Sequence, residues 1–168
     1  MIRHKGKLAV GFACAATGVL LAMGAGQSQP HESELGEMRI HRPTEIEWKK
    51  GPPSLPPGAE FAVLEGDPSK PAPFVFRVKV PDGYTVPAHT HPKAERITVI
   101  AGTFNIAMGD HLDKESGKVM PAGSFGYWPA GMKHMVWVTG DSIIQFHGVG
   151  PWEINYLDPA DDPRNARD

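Results

Sequence analysis

With 168 residues, a mass of 18.2 kDa and 21% charged residues, the chain suits one globular domain. Its net charge of -2 comes with no basic stripe, which excludes nucleic acid as the expected partner. The 19 glycines and 17 prolines favour many short strands joined by tight turns.

The first segment is predicted to be a targeting signal. Arg3, Lys5 and Lys7 precede an apolar, uncharged run from Leu8 to Ala25, and acid-containing sequence starts only beyond Gln27. This is the pattern of a secretory signal peptide over residues 1–26, with cleavage near Ala25 or Gly26. The expected location is periplasmic or secreted, with no membrane partner once the signal is removed. Without a twin arginine, export as an unfolded chain is expected. The segment holds three of the 17 basic residues and none of the 19 acids, so the mature chain carries a net charge of -5. It also holds the only cysteine, Cys14, which leaves the mature chain without a disulfide or a thiolate ligand.

Residues 27–45 are polar and aperiodic and read as a mobile arm. A β-domain is expected over residues 46–158, followed by a tail at 159–168. Ile46–Trp48 reads as a short strand. The proline-rich Gly51–Gly58 is a stiff connection, because proline cannot continue a ladder. Phe61–Leu64 is a short apolar strand, and Asp67–Pro71 a turn. Phe74–Val80 is the clearest strand: Phe74, Phe76, Val78 and Val80 share one face, with Arg77 and Lys79 opposite. Arg96–Ile100 and Thr103–Met108 read as a hairpin about Ala101-Gly102. His111–Lys118 is a polar loop. Ser124–Trp128, Met135–Val138 and Ile143–His147 are further strands, the last two joined by a hairpin turn at Gly140-Asp141. Pro151–Asp168 is expected to fray. No long helical period occurs, so the fold class is all-β, a sandwich or barrel.

One stretch carries the chemistry. Gly83-Tyr-Thr-Val-Pro-Ala-His89-Thr-His91-Pro-Lys-Ala-Glu95 is followed by six residues and Gly102. Side chains alternate along a strand, so His89 and His91 project the same way. Glu95, Ile97 and Val99 keep that parity. Imidazoles and a carboxylate on one inward face suit a divalent transition ion set in a β-core. A second stretch, Gly123-Ser-Phe-Gly-Tyr-Trp-Pro129-Ala-Gly131-Met-Lys-His134, makes a proline–glycine turn and places His134 at the start of a strand.

Together the two stretches resemble the two motifs of the cupin superfamily. The first pattern is G, five residues, HxH, three or four residues, E, six residues, G. The second is G, five residues, PxG, two residues, H, three residues, N. Every fixed position matches except the last, where Val138 replaces asparagine, a position that is not a ligand in the family. The resemblance covers about residues 46–158. It implies a single-domain jelly-roll β-barrel and a metal site of His89, His91, Glu95 and His134. It also implies a small-molecule ligand or substrate.

Other residues are weaker candidates. Gln145 and His147 alternate on one strand and read either as pocket residues or as a hydrogen-bonded pair at the barrel rim; sequence does not fix which face points inward. Arg96 is expected to point away from Glu95 as a surface ion-pair partner, and Tyr84 and Tyr127 to pack in the core. His111 is expected in solvent, and His31 and His41 in the arm are poor ligands. Thr98, Ile100 and Trp137 are apolar for an outer face, which points to an interface such as a homodimer.

Three imidazoles and one carboxylate leave coordination positions open, as catalytic sites do. The leading expectation is therefore a metal-dependent oxidoreductase, such as a dioxygenase, acting on a small organic molecule. The alternative is a non-catalytic metal- or ligand-binding sensor module. A chain that meets its metal outside the cytoplasm favours Zn or Cu by intrinsic affinity, with Fe or Mn accepted by the same ligands.

Overall fold

The computed structural model describes residues 38–109 and 112–166. The expected signal peptide, most of the expected arm including His31, and His111 lie outside the described residues.

Strands form where apolar side chains alternate. In β3 (Pro73–Val80), Phe74, Phe76, Val78 and Val80 are buried and the residues between them are not. β2 (Glu60–Gly66) pairs antiparallel with one edge of β3, and the long β8 (His134–Val149) with the other. β1 (Lys49–Lys50) extends the sheet beyond β2. β4 (Thr85–Thr90) pairs with the first part of β8, and β5 (Glu95–Met108) pairs along most of its length. β6 (Lys118–Pro121) and β7 (Phe125–Trp128) flank the two ends of β5, and β9 (Asn155–Tyr156) pairs with the end of β4. One half of β8 therefore lies between β4 and β5, and the other between β3 and β5. The sheet curls on itself as a single-domain, all-β jelly-roll barrel. Its interior holds Phe76, Ile97, Val99, Ile106, Val138, Ile144 and Ile154. Among the described residues no helix is long and apolar enough to cross a membrane.

Both expected hairpins are instead single bent strands. β5 runs through Ala101-Gly102 and β8 through Gly140-Asp141, with the β5–β8 register slipping on both sides of Ala101. Gly102 and Gly140 do have positive φ, each +74°. That conformation makes a bulge that bends a continuing strand as readily as a turn that ends one. The bend passes each strand from one wall of the barrel to the other. Gly102 also lies so close to β8 that a Cβ would overlap Ser142 Oγ. Gly102→Ala adds left-handed strain to an overlap, so it should cost at least about 2 kcal/mol. Urea unfolding checks this, and an unchanged midpoint would contradict it.

Other boundaries moved. Ile46–Trp48, expected as a strand, is irregular chain between a 3-10 turn at Pro43–Glu45 and β1. Neither β6 nor β9 was anticipated. The Gly51–Gly58 connection caps one end of the barrel: Leu55 is buried, and Pro56 O and Ser54 O accept hydrogen bonds from the hydroxyls of Tyr84 (2.7 Å) and Tyr156 (2.8 Å). Tyr127 is not in the core but 54% exposed on the outer face, near Phe125 and Ile100. Arg96 lies over its ring at 4.9 Å, a cation–π contact in place of the expected ion pair.

The segment expected to fray is built into the fold as far as Asn165. Ile154 is almost fully buried, and the Asp158 and Asp162 side chains cap two 3-10 turns. Arg164 reaches back to donate to Ile154 O at 2.9 Å.

Candidate metal centre

Separate elements deliver the site. His89 on β4 stands opposite His134, the first residue of β8, on one side and Tyr156 of β9 on the other. His91 follows in the short connection, and Glu95 opens β5. The proline–glycine turn is tied to this connection because Gly131 N donates to His91 O at 2.9 Å. That bond brings the second sequence motif beside the first.

The ring nitrogens of His89, His91 and His134 that face the centre lie within 4.8 Å of one another. Burial is nearly complete: exposures are 3%, 5% and 1% for the three imidazoles and 5% for Glu95. Each imidazole is oriented through its other nitrogen. His89 Nδ1 donates to Pro87 O at 2.6 Å, His91 Nδ1 to Glu153 O at 2.6 Å and His134 Nδ1 to Met132 O at 3.0 Å. A carbonyl oxygen only accepts, so each Nδ1 carries a proton, and in the neutral ring each Nε2 presents a lone pair to the centre.

Glu95 borders this triangle. Its Oε1 is 3.3 Å from His91 Nε2 and its Oε2 3.8 Å from His134 Nε2. Two acceptors at such distances repel unless a cation lies between them. His134 Nε2, moreover, is buried with no hydrogen-bond partner, a state that native interiors avoid. Three imidazole nitrogens and a carboxylate are a donor set that fits one divalent transition metal. In the metal-free chain a proton shared between His91 Nε2 and Glu95 serves that pair, but it leaves His134 Nε2 unpartnered.

The electrostatics agree. Burial, with the charges of His134 and His91, pushes His89 down to about 3. Burial also lowers His134, against the pull of Glu95. For His91 burial is outweighed by the charge and hydrogen bond of Glu95, which raise it. Burial opposes ionisation of Glu95, but His91, His134 and the Trp152 N–H together bring it to about 2.

A pH optimum follows for the metal-free chain. Below the ordinary histidine value of 6.5, the unfolded state binds protons at His89 and His134 that the folded state refuses. Stability should then fall with pH by roughly 1.4–2.7 kcal/mol per unit, one to two protons' worth. The raised His91 acts on the other side: its contribution is complete below 6.5 and is lost as pH rises through its folded value. The Glu95 contribution is lost only as pH falls from 4.5 towards about 2. Urea unfolding of chelator-treated protein across pH measures this, and a flat profile would contradict it.

The sequence profile of the ChrR Cupin-like domain family matches residues 36–153. The chain is a cupin. No curated protein sequence matches it. Among solved structures, the polyketide cyclase RemF from Streptomyces resistomycificus is similar at 18% identity and a TM-score of 0.61, over 77% of this chain and 91% of that one. An acetylacetone dioxygenase from Acinetobacter johnsonii is similar at 16% identity and 0.59, over 79% and 85%. An RmlC-like cupin from Shewanella frigidimarina is similar at 14% and 0.52, over 66% and 89%. At these identities the likeness concerns the fold.

Of the remaining candidates in this cupin, Gln145 and His41 fall away from the centre. Ile144 and Phe146 point inward, so Gln145 points outward, where its Oε1 accepts from Arg77 Nε at 3.0 Å. His147 borders a small cleft with His91, Glu95, Phe146 and Trp152, and its Nδ1 is buried without a hydrogen-bond partner. His41 contacts Leu64 O at 2.9 Å, remote from the cluster in sequence and on the β2 edge.

Two residues at the site were not anticipated. Trp128 Nε1 donates to Glu95 Oε2 and Trp152 Nε1 to Glu95 Oε1, each at 2.9 Å. Trp128 is the register partner of Glu95, a pairing between strands that alternation along either strand does not reveal. Trp152 had no signal, because it lies in the segment that looked frayed.

Proposed function

We propose that this cupin binds one divalent transition metal through Nε2 of His89, His91 and His134, with Glu95 as the oxygen donor. We propose further that it acts as an oxygenase-like oxidoreductase on a small, apolar organic molecule. The observation that carries the metal reading is the orphaned, buried Nε2 of His134 inside the triangle of imidazole nitrogens.

The substrate reading rests on an interior cavity of about 40 Å³. It is lined mainly by Leu55, Val78, Val86, Val136, Phe146 and Trp152. The polar atoms of Tyr84 and Trp152 beside it are already committed, to Pro56 O and Glu95. A water there would find few partners, so the space favours an apolar guest. Trp152 forms the wall shared with the metal ligands, and it stacks on His91 at 5.7 Å. The chain's own work is to hold three imidazoles in one tautomer, to keep Glu95 ionised, and to exclude bulk water. The ion would supply Lewis-acid chemistry and, if Cu or Fe, one-electron chemistry. Zn has no accessible redox change, so an exported oxygenase favours Cu.

A second reading, a metal-binding module without turnover, is favoured by the same confinement: the ligands are almost wholly buried and the cavity is small. Oxygen uptake separates the two. Copper- and iron-loaded protein is screened with small ketones, catechols, flavonoids and thiols. Uptake that needs the metal and disappears in His134→Ala supports the oxygenase. Full loading without uptake on any of them favours the module.

A further inference from the structure

Glu95 is held more tightly than a ligand alone requires. Each of its two oxygens accepts one indole N–H at 2.9 Å, from Trp128 on one side and Trp152 on the other. The two indoles come from unrelated parts of the chain. Trp128 ends β7 and pairs in register with Glu95, while Trp152 lies beyond β8. Both are themselves fixed. Trp128 stacks parallel to Phe104 (10°, 6.4 Å), and Trp152 meets Phe76 edge-on at 4.9 Å and donates its backbone N–H to Pro68 O at 2.7 Å. Each also touches a ligand ring, Trp128 with His134 at 5.5 Å and Trp152 with His91 at 5.7 Å.

An indole N–H is a donor only and does not titrate near neutral pH. Two such donors keep the carboxylate ionised, since N–H bonds to a charged acceptor are the strong ones. They also stop it turning. Each oxygen keeps a second lone pair, and both face the imidazole triangle, Oε1 at 3.3 Å from His91 Nε2 and Oε2 at 3.8 Å from His134 Nε2.

We propose that Trp128 and Trp152 are positioning residues of the metal centre. They clamp the Glu95 carboxylate so that its plane is fixed and its free lone pairs stay turned towards the three imidazoles. This rests on the metal reading above.

Cobalt(II) titration tests it, because the intensity of the visible bands reports coordination number independently of any turnover. Trp152→Phe keeps the ring against His91 and Phe76 but removes the N–H. It should weaken cobalt binding about tenfold, the lower end for outer-shell partners of metal ligands. It should also change the visible bands as the carboxylate loses its fixed orientation. Trp128→Phe, from the other side, should do the same and serves if Trp152→Phe does not fold. In a Glu95→Ala background, Trp152→Phe should change affinity by less than about twofold, because the partner it acts through is gone. Folded Trp→Phe variants with unchanged affinity and spectrum would overturn the clamp alone. Wild-type protein that binds no cobalt or zinc would overturn the metal reading, and the clamp with it.

Discussion

His134→Ala is expected to lose its metal: affinity should fall by more than roughly 100-fold, beyond the range for residues that merely orient a ligand. His134 is the least exposed of the three imidazoles at 1%. It is the register partner of His89 and joins two strands at the site. Its Nε2 has no other use, because no hydrogen bond satisfies it. Removing the ring therefore removes a ligand without freeing any partner to replace it. His41 and His147, the other histidines among the described residues, do not belong to the cluster. Metal content after dialysis against a weak chelator reads the effect. Full occupancy in His134→Ala would contradict the ligand assignment while leaving the fold untouched.

Phe76→Ala is expected to be the most destabilising substitution in the barrel, by about 3–5 kcal/mol. Phe76 is fully buried. Its ring meets Phe61 at 4.6 Å, Phe74 at 5.3 Å, and Phe146 and Trp152 each at 4.9 Å. Four aromatic neighbours cannot all move into the vacated space, so a cavity remains. The effect should also reach the metal centre, since Trp152 would lose the ring that its edge rests on. Chemical unfolding of the metal-free protein measures the first effect, and metal titration of the same variant the second. A loss below about 1 kcal/mol would show that the cluster repacks freely.

What the sequence made legible was whatever depends on parity. The alternation in Phe74–Val80 gave the buried face of β3 correctly, and the spacing of His89, His91 and Glu95 placed all three in the interior. The proline–glycine turn put His134 at a strand start, where it stands. What stayed illegible depends on contacts between distant segments. Gly102 and Gly140 signalled a change of direction, but whether a strand bends or ends there is decided by what packs alongside, and for Gly102 that is Ser142. Gln145 and His147 keep the same parity, yet only packing separates them: Gln145 bonds Arg77 on the outer face, while His147 borders the cleft beside His91 and Glu95. The segment after Pro151 is rich in proline and acid and reads as a tail. It is ordered by long-range bonds that no local pattern announces: Trp152 to Glu95, Glu153 O to His91, and Tyr156 to Ser54.

The central claim is that three imidazoles and one carboxylate bind a single ion. X-ray absorption at the metal edge of zinc-loaded protein tests it most directly. The account predicts a first shell of nitrogen and oxygen at about 2.0–2.2 Å, with the outer-shell scattering of three imidazole rings. A shell with one imidazole or none would contradict it.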